Sequence, residues 1–150
     1  MILYADTSFL VSLYVPDANS AKALAAARRL RFPLVLSSLG ELEFVNSLAL
    51  RVFRKELTSP QAASALAHFR QDIMTGAIRI APIPIAAFEE GKHLSQKHSA
   101  YLGTRTLDLL HVAAAITLHT KRFYTFDRAQ AKLARLLGLR VIRIGSENTL

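Results

Sequence analysis

The chain has 150 residues, enough for one domain with little room for a second. Hydrophobic residues make up 51% of it and charged residues 20%, which supports one continuous core and argues against wholesale disorder. It has no cysteine, which excludes a disulfide scaffold or a thiolate zinc site and suits a reducing cytoplasm; its net charge of +8 favours a polyanionic partner such as nucleic acid, an acidic protein or anionic lipid.

Strand and helix signals alternate along the chain. Ile2 to Ala5 reads as a short buried strand with no basic leader before it, so no signal peptide is expected. Thr7 to Val15 follows as a helix stopped by Pro16, and Asp17 can cap a second helix reaching about Arg31. Pro33 to Leu36 is a strand, and Ser38 opens a helix to about Lys55. Ser59 followed by Pro60 predicts a cap with proline at the first helical position. That helix runs to about Thr75 and ends at Gly76. Ile78 to Ile83 is a strand weakened at Pro82, which places it at an edge. Ala86 to His98 is helical, and Leu107 to His119 is a helix apolar nearly all round, hence buried. That stretch carries Asp108 and His111 and is too short to span a bilayer. Phe123 to Thr125 is a strand, Asp127 to Leu137 a helix closed by Gly138, and Arg140 to Ile144 the last strand. Strands separated by helices imply a mostly parallel sheet of about five strands, covered on both faces, with ligands gathering outside the strands' carboxyl ends.

Four acids meet that expectation. Asp6 immediately follows the first strand, Asp127 follows the strand Phe123 to Thr125, and Asp108 lies in the first turn of the buried helix. Glu43 lies one turn into the helix opened by Ser38, on a stripe with Leu39, Asn46, Leu50 and Phe53 that reads as facing inward. Each has an ordinary structural job available. Asp6 and Asp127 can cap helices, with Asp127 to Gln130 resembling a capping box; Asp108 suits a helix dipole; Glu43 can pair with Arg51 or Arg54. These jobs leave carboxylate oxygens free, and all four acids converge on strand ends or helix starts.

Clustered carboxylates repel unless a cation neutralises them. None of the four has an evident lysine or histidine partner in the sequence, so a hard divalent cation is expected. Such a site in a basic protein suits phosphodiester hydrolysis, with one metal or two left open. Glu41 competes with Glu43, but Ser38 to Glu41 fits a capping box that gives Glu41 a structural role.

These residues resemble PIN-domain nucleases. The blocks that carry the likeness are Asp6-Thr7-Ser8, Glu43 in its helix, Arg105 to Ala115 around Asp108, and Tyr124 to Arg128 around Asp127. Within that family they are most similar to VapC-type toxins of toxin–antitoxin pairs. The resemblance spans essentially the whole chain. It implies a single PIN domain over 1–150 with a three-layer α/β fold, a central sheet between helices. It also implies an endoribonuclease whose quartet Asp6, Glu43, Asp108 and Asp127 binds Mg²⁺ or Mn²⁺ or orients the attacking water. Ser8 and Thr125 match small hydroxyl positions that support the acids. A cognate antitoxin and a homodimer are further implications; a membrane is not.

The histidines, His68, His93, His98, His111 and His119, show no metal spacing, and His111 reads as a packed core residue. There is no phosphate-binding loop and no nucleophile elbow. Arg128, Lys132 and Arg135 lie along one helix and can carry an RNA backbone toward the acids; a solvated face is the plain alternative. The apolar helix after Asp6 reads as core, with part of it available as a groove for a partner helix. Competing readings are a PIN nuclease outside any toxin pair, an RNA-binding module without catalysis, and a phosphatase of small phosphates.

Overall fold

The computed structural model describes residues 1–142. Its strands are β1 (Leu3–Ala5), β2 (Leu34–Ser37), β3 (Ile78–Ala81), β4 (Arg122–Tyr124) and β5 (Arg140–Ile142). They form one sheet in the order β3-β2-β1-β4-β5, every neighbouring pair parallel. This is the α/β sheet the alternation predicts, and all-parallel rather than mostly parallel. Among the described residues β3 pairs only with β2, and it stops before Pro82, as an edge strand weakened by proline must. The predicted last strand begins at Arg140 as expected; residues 143 and 144 of that expectation lie outside the described residues.

The helices are α1 (Thr7–Tyr14), α2 (Ser20–Ala27), α3 (Ser38–Phe53), α4 (Ser59–Met74), α5 (Ile85–Leu94), α6 (Ala100–Leu102), α7 (Thr106–Thr117) and α8 (Arg128–Leu136). A π-helical turn, Ser95–Ser99, joins α5 to α6, and Gly103 ends the run in the left-handed region at φ 64. Alternate strand residues feed two cores. Leu3, Ala5, Leu34 and Leu36 pack with Phe9, Leu10, Phe44 and Phe69 on one face. Tyr4 and Phe123 pack with Leu109, Val112 and Leu133 on the other. α1 and α2 lie with α3 and α4 on the first face; α5, α7 and α8 cover the second. Among the described residues, no helix is long and apolar enough to cross a membrane.

Several predicted starts shift by one or two residues. Asn19, not Asp17, precedes α2, which ends at Ala27 rather than Arg31. Thr58 caps α4 and forms a capping box with Gln61, putting Ser59 first and Pro60 second in the helix. Ser37, not Ser38, caps α3: its side chain accepts from Gly40 N at 3.1 Å. The box assigned to Ser38 and Glu41 therefore does not form; Ser38 Oγ accepts from Ile83 N at 3.4 Å instead. The inward face of α3 is also different. Gly40, Phe44 and Leu48 are buried, while Leu50 and Phe53 are 39% and 84% exposed. Glu43 sits half-buried on the flank of that face.

Candidate active site

The strand order reverses at β1, whose neighbours are β2 on one side and β4 on the other. The carboxyl ends of β1 and β4 border that switch point, where open parallel sheets leave a crevice. Asp6 leaves β1 and Asp127 lies shortly after β4. Glu43 enters from α3 and Asp108 from the first turn of α7. All four line one cavity of about 460 Å³. The structure thus brings the sequence-predicted acids together. Among the described residues, no three histidines or acids stand close enough to close round a single cation as placed.

Asp6 is fully buried. It caps α1, with Oδ1 accepting from Phe9 N at 3.0 Å. Thr125 Oγ1 donates to Oδ2 at 2.7 Å, and Ser8 Oγ donates to the same carboxylate at 2.8 Å. Thr125 Oγ1 in turn accepts from Asp127 N, and Ser8 Oγ from Phe126 N. The two hydroxyl residues singled out in the sequence therefore tie the ends of β1 and β4 into one network around Asp6. Three donors fill three of the roughly four lone-pair positions of a carboxylate, leaving one open. Burial raises the Asp6 carboxyl to about 6, against the lowering by Thr125, His111, Phe9 N and Ser8.

Asp127 caps α8 through Gln130 N at 2.8 Å, so its ordinary structural job is real. The Gln130 side chain does not complete a capping box. Its Nε2 donates to Asp108 Oδ1 at 3.2 Å, and its Oε1 is buried without a hydrogen-bond partner among the described residues. The other oxygen of Asp108 accepts from Arg105 Nε at 3.0 Å and from Arg105 N at 3.3 Å. Arg105 Nη2 also lies 3.9 Å from Asp127 Oδ2. One guanidinium thus spans two of the acids, and Asp108 first, then Asp127, raises its pKa.

Glu43 accepts from Thr7 Oγ1 and from His111 Nε2, each at 2.5 Å. Burial pushes its carboxyl up, but these two partners outweigh that and hold it below its ordinary value. Neither Arg51 nor Arg54 pairs with it; Arg51 faces Glu56 at 3.4 Å. His111 is packed and hydrogen-bonded, as expected of a core histidine, with the Tyr4 hydroxyl 3.0 Å from Nδ1. Its other nitrogen nevertheless serves the site. Burial also raises the Tyr4 hydroxyl, which donates to Ser37 Oγ at 2.9 Å. The expectation that no lysine or histidine partners the acids is thus overturned at Glu43 by His111. Arg105 and His111 are neighbours of the acids that the sequence reading did not pair with them, although each lies three residues, about one helical turn, from Asp108.

Arg128, Lys132 and Arg135 are exposed along the outer side of α8. In α1, Phe9, Leu10 and Val11 are buried in the chain's own core, so most of that apolar surface is not a free groove.

The chain resembles known proteins over nearly its full length. The family model described as PIN domain matches residues 3–136. No curated protein matches. Among solved structures, FitAcB from Neisseria gonorrhoeae is 17% identical with a TM-score of 0.71, covering 95% of this chain and 97% of its own. VapC20 of Mycobacterium tuberculosis, described as a Sarcin-Ricin loop cleaving toxin, is 18% identical with a TM-score of 0.67, covering 87% and 93%. VapBC2 from Rickettsia felis, bound to a DNA fragment from its promoter, is 19% identical with a TM-score of 0.64, covering 95% and 98%.

Proposed function

Since this chain belongs to the PIN domain family, we propose that it is a metal-dependent endoribonuclease, the toxin of a VapBC-type toxin–antitoxin pair, formed as one domain over 1–150 and acting in the cytoplasm. The observation that carries the reading is the convergence of Asp6, Glu43, Asp108 and Asp127 on one cleft at the sheet's switch point.

The donor set suits Mg²⁺ or Mn²⁺. It is all oxygen, as hard cations require. Asp6 keeps one lone-pair position, and the buried Gln130 Oε1 awaits a donor. The guanidinium across Asp108 and Asp127 marks a place where positive charge is already held. Asp6, Asp108 and Asp127 are the proposed ligands, with Glu43 joining them or orienting the water. When bound, the cation polarises the phosphodiester and makes water a better nucleophile. The chain's own groups do the rest. Ser8 and Thr125 fix Asp6, Gln130 fixes Asp108, and Thr7 with His111 aims Glu43. Arg128, Lys132 and Arg135 form a basic stripe for the RNA backbone, running from Asp127.

Two partners follow from the same reading. A cognate antitoxin would quench the cleft with a lysine or arginine reaching the carboxylates, as Arg105 already does from within the chain. A second copy would cover the exposed apolar strip of α3, where Leu42, Val45 and Phe53 are 66%, 41% and 84% exposed. Ile85 and Phe88 of α5, 86% and 53% exposed, are further exposed apolar side chains a second copy could cover.

The test is cleavage of single-stranded RNA by the purified chain with Mn²⁺, with and without excess chelator. Hydrolysis by water leaves a 5′-phosphate and a 3′-hydroxyl. Full activity in chelator, or 2′,3′-cyclic phosphate ends, refutes the mechanism.

A further inference from the structure

A second cavity, of about 330 Å³, lies against the acidic cleft and shares Thr7, Ser8 and Asp127 with it as a common wall. We propose that this cavity is a nucleotide subsite, taking the unpaired base and the phosphate next to the bond being cut. This rests on the nuclease reading of the acidic cleft, because its location is what makes the neighbouring nucleotide the occupant.

Three of the lining side chains, Asn19, Phe126 and Arg51, are suited to a nucleotide, beside the carboxylates of Asp17 and Asp127. Asn19 stands at the N-cap position of α2, yet its amide makes no capping hydrogen bond and its backbone is helical, at φ −101 and ψ −8. An asparagine that does not cap keeps a donor and an acceptor side by side, the pair that reads a base edge. Its position is fixed by the Asp17 carboxylate, which accepts from Asn19 N at 2.7 Å and from Ser12 Oγ at 2.8 Å. Phe126 also lines the cavity and is half-buried. It stacks on Phe9 with the planes only 16° apart, so Phe9 backs one face and the rest of the ring is a platform for a base. Arg51 supplies the charge. Its only acidic partner among the described residues is Glu56, at 3.4 Å on the surface, a weak pair that a phosphate can replace. Bases flanking a cut in single-stranded RNA are unstacked and free to enter such a pocket.

The arrangement assigns different jobs to the side chains. Arg51 holds any nucleotide through its phosphate, whereas Asn19 and the Phe126 platform choose among bases. Base preference at the cut is then set on the α1–α2 side of the cleft, away from the acids.

The test uses the full chain, isotope-labelled and freed of divalent cations, titrated with AMP, GMP, CMP and UMP while amide shifts are followed. The expected result is a response at Ser12, Asn19 and Phe126 that differs in strength among the four. Asn19→Ala should weaken the preferred nucleotide by about fivefold or more and level the preference. Asn19→Asp, which keeps shape but removes the donor, should do the same, and Arg51→Gln should weaken all four alike. Shifts confined to the acidic cleft, no shifts at all (as for a face reserved for a protein partner), or an unchanged preference in both Asn19 variants overturns the proposal. Cleavage assayed in parallel separates the two readings. Nucleotide binding here without RNA cleavage defeats the nuclease, and cleavage with the parent base preference in Asn19→Ala defeats the subsite.

Discussion

Asp6 should make the metal-free protein less stable as pH rises, the reverse of ordinary acid denaturation. Its carboxyl is fully buried and raised from 3.8 to about 6. Between those values the folded chain keeps this proton and the unfolded chain has lost it. Stability then falls with pH, because the folded state binds more protons. The contribution is fully present below about pH 4 and is lost as pH passes about 6. A shift of this size corresponds to about 3 kcal/mol. For a chain of this length that is on the order of 10 °C in melting temperature. Asp6→Asn removes the titration and preserves the fold. Its amide oxygen can accept from Phe9 N and Ser8, and its NH₂ can face the Thr125 hydroxyl. Melting curves in chelator from pH 4 to 8, for parent and variant, isolate the effect, since Glu43 and the other acids are common to both. The gap should favour the variant by the full amount above pH 7 and close toward pH 4. Mn²⁺ should raise the parent's melting temperature at pH 7.5 and the variant's far less. A pH-independent gap, or a variant less stable at pH 8, would refute the idea that uncompensated burial of Asp6 is what a cation relieves.

Further predictions concern the neighbours. Glu43→Gln should lose most RNA cleavage and, because it weakens the hydrogen bonds that the carboxylate accepts from Thr7 and His111, about 1 kcal/mol of stability in denaturant melts as well. Glu41→Ala should be near neutral in both, whereas Ser37→Ala should lose about 1 kcal/mol with the true cap. Arg105→Gln should bind Mn²⁺ several-fold more tightly by calorimetry, since it removes a cation already held at Asp108 and Asp127; equal or weaker binding shows that the guanidinium does not compete. Neutralising Arg128, Lys132 and Arg135 together should reduce the slope of RNA affinity against salt by about 2, at about 0.7 per phosphate contact.

Most of the fold is legible in the sequence because it rests on period and punctuation. The short apolar runs at Leu3, Leu34 and Phe123 are buried on both faces, as strands of a covered parallel sheet must be. Helix starts slip where two hydroxyl residues stand together. Either residue of Ser37-Ser38 or Thr58-Ser59 can cap, and the choice is made by where the preceding segment stops being extended. The inward face of α3 misleads for another reason. Its apolar residues lie on both sides, and Leu42, Val45 and Phe53 point to solvent in the isolated chain. Periodicity detects what is apolar and does not say which apolar side is the chain's own.

The candidate site divides along a similar line. Its acids are legible because strand ends and helix starts fix where their backbones go, and a parallel sheet collects those points at one edge. Their counter-charges are not, since pairing depends on side-chain reach across elements. His111 looks like core from its helix alone and becomes part of the cleft only when β1 brings Tyr4 and α3 brings Glu43 against it. Gly40 makes that approach possible. A β-carbon there would collide with the Leu36 side chain and stand 3.5 Å from His111 Cε1. Gly40 N also donates to Ser37 Oγ, which accepts a second hydrogen bond from the Tyr4 hydroxyl. Thus one short chain of contacts, Gly40 to Ser37 to Tyr4 to His111, sets the depth at which Glu43 enters the cleft. Gly40→Ala should therefore cost about 1–3 kcal/mol through overpacking. It should also displace Glu43, so that cleavage falls further than Leu36→Ala, which relieves the same contact, would cause. If Gly40→Ala lowers stability while cleavage by the folded fraction is unchanged, Glu43 is positioned by Thr7 and His111 without help from the packing beneath them.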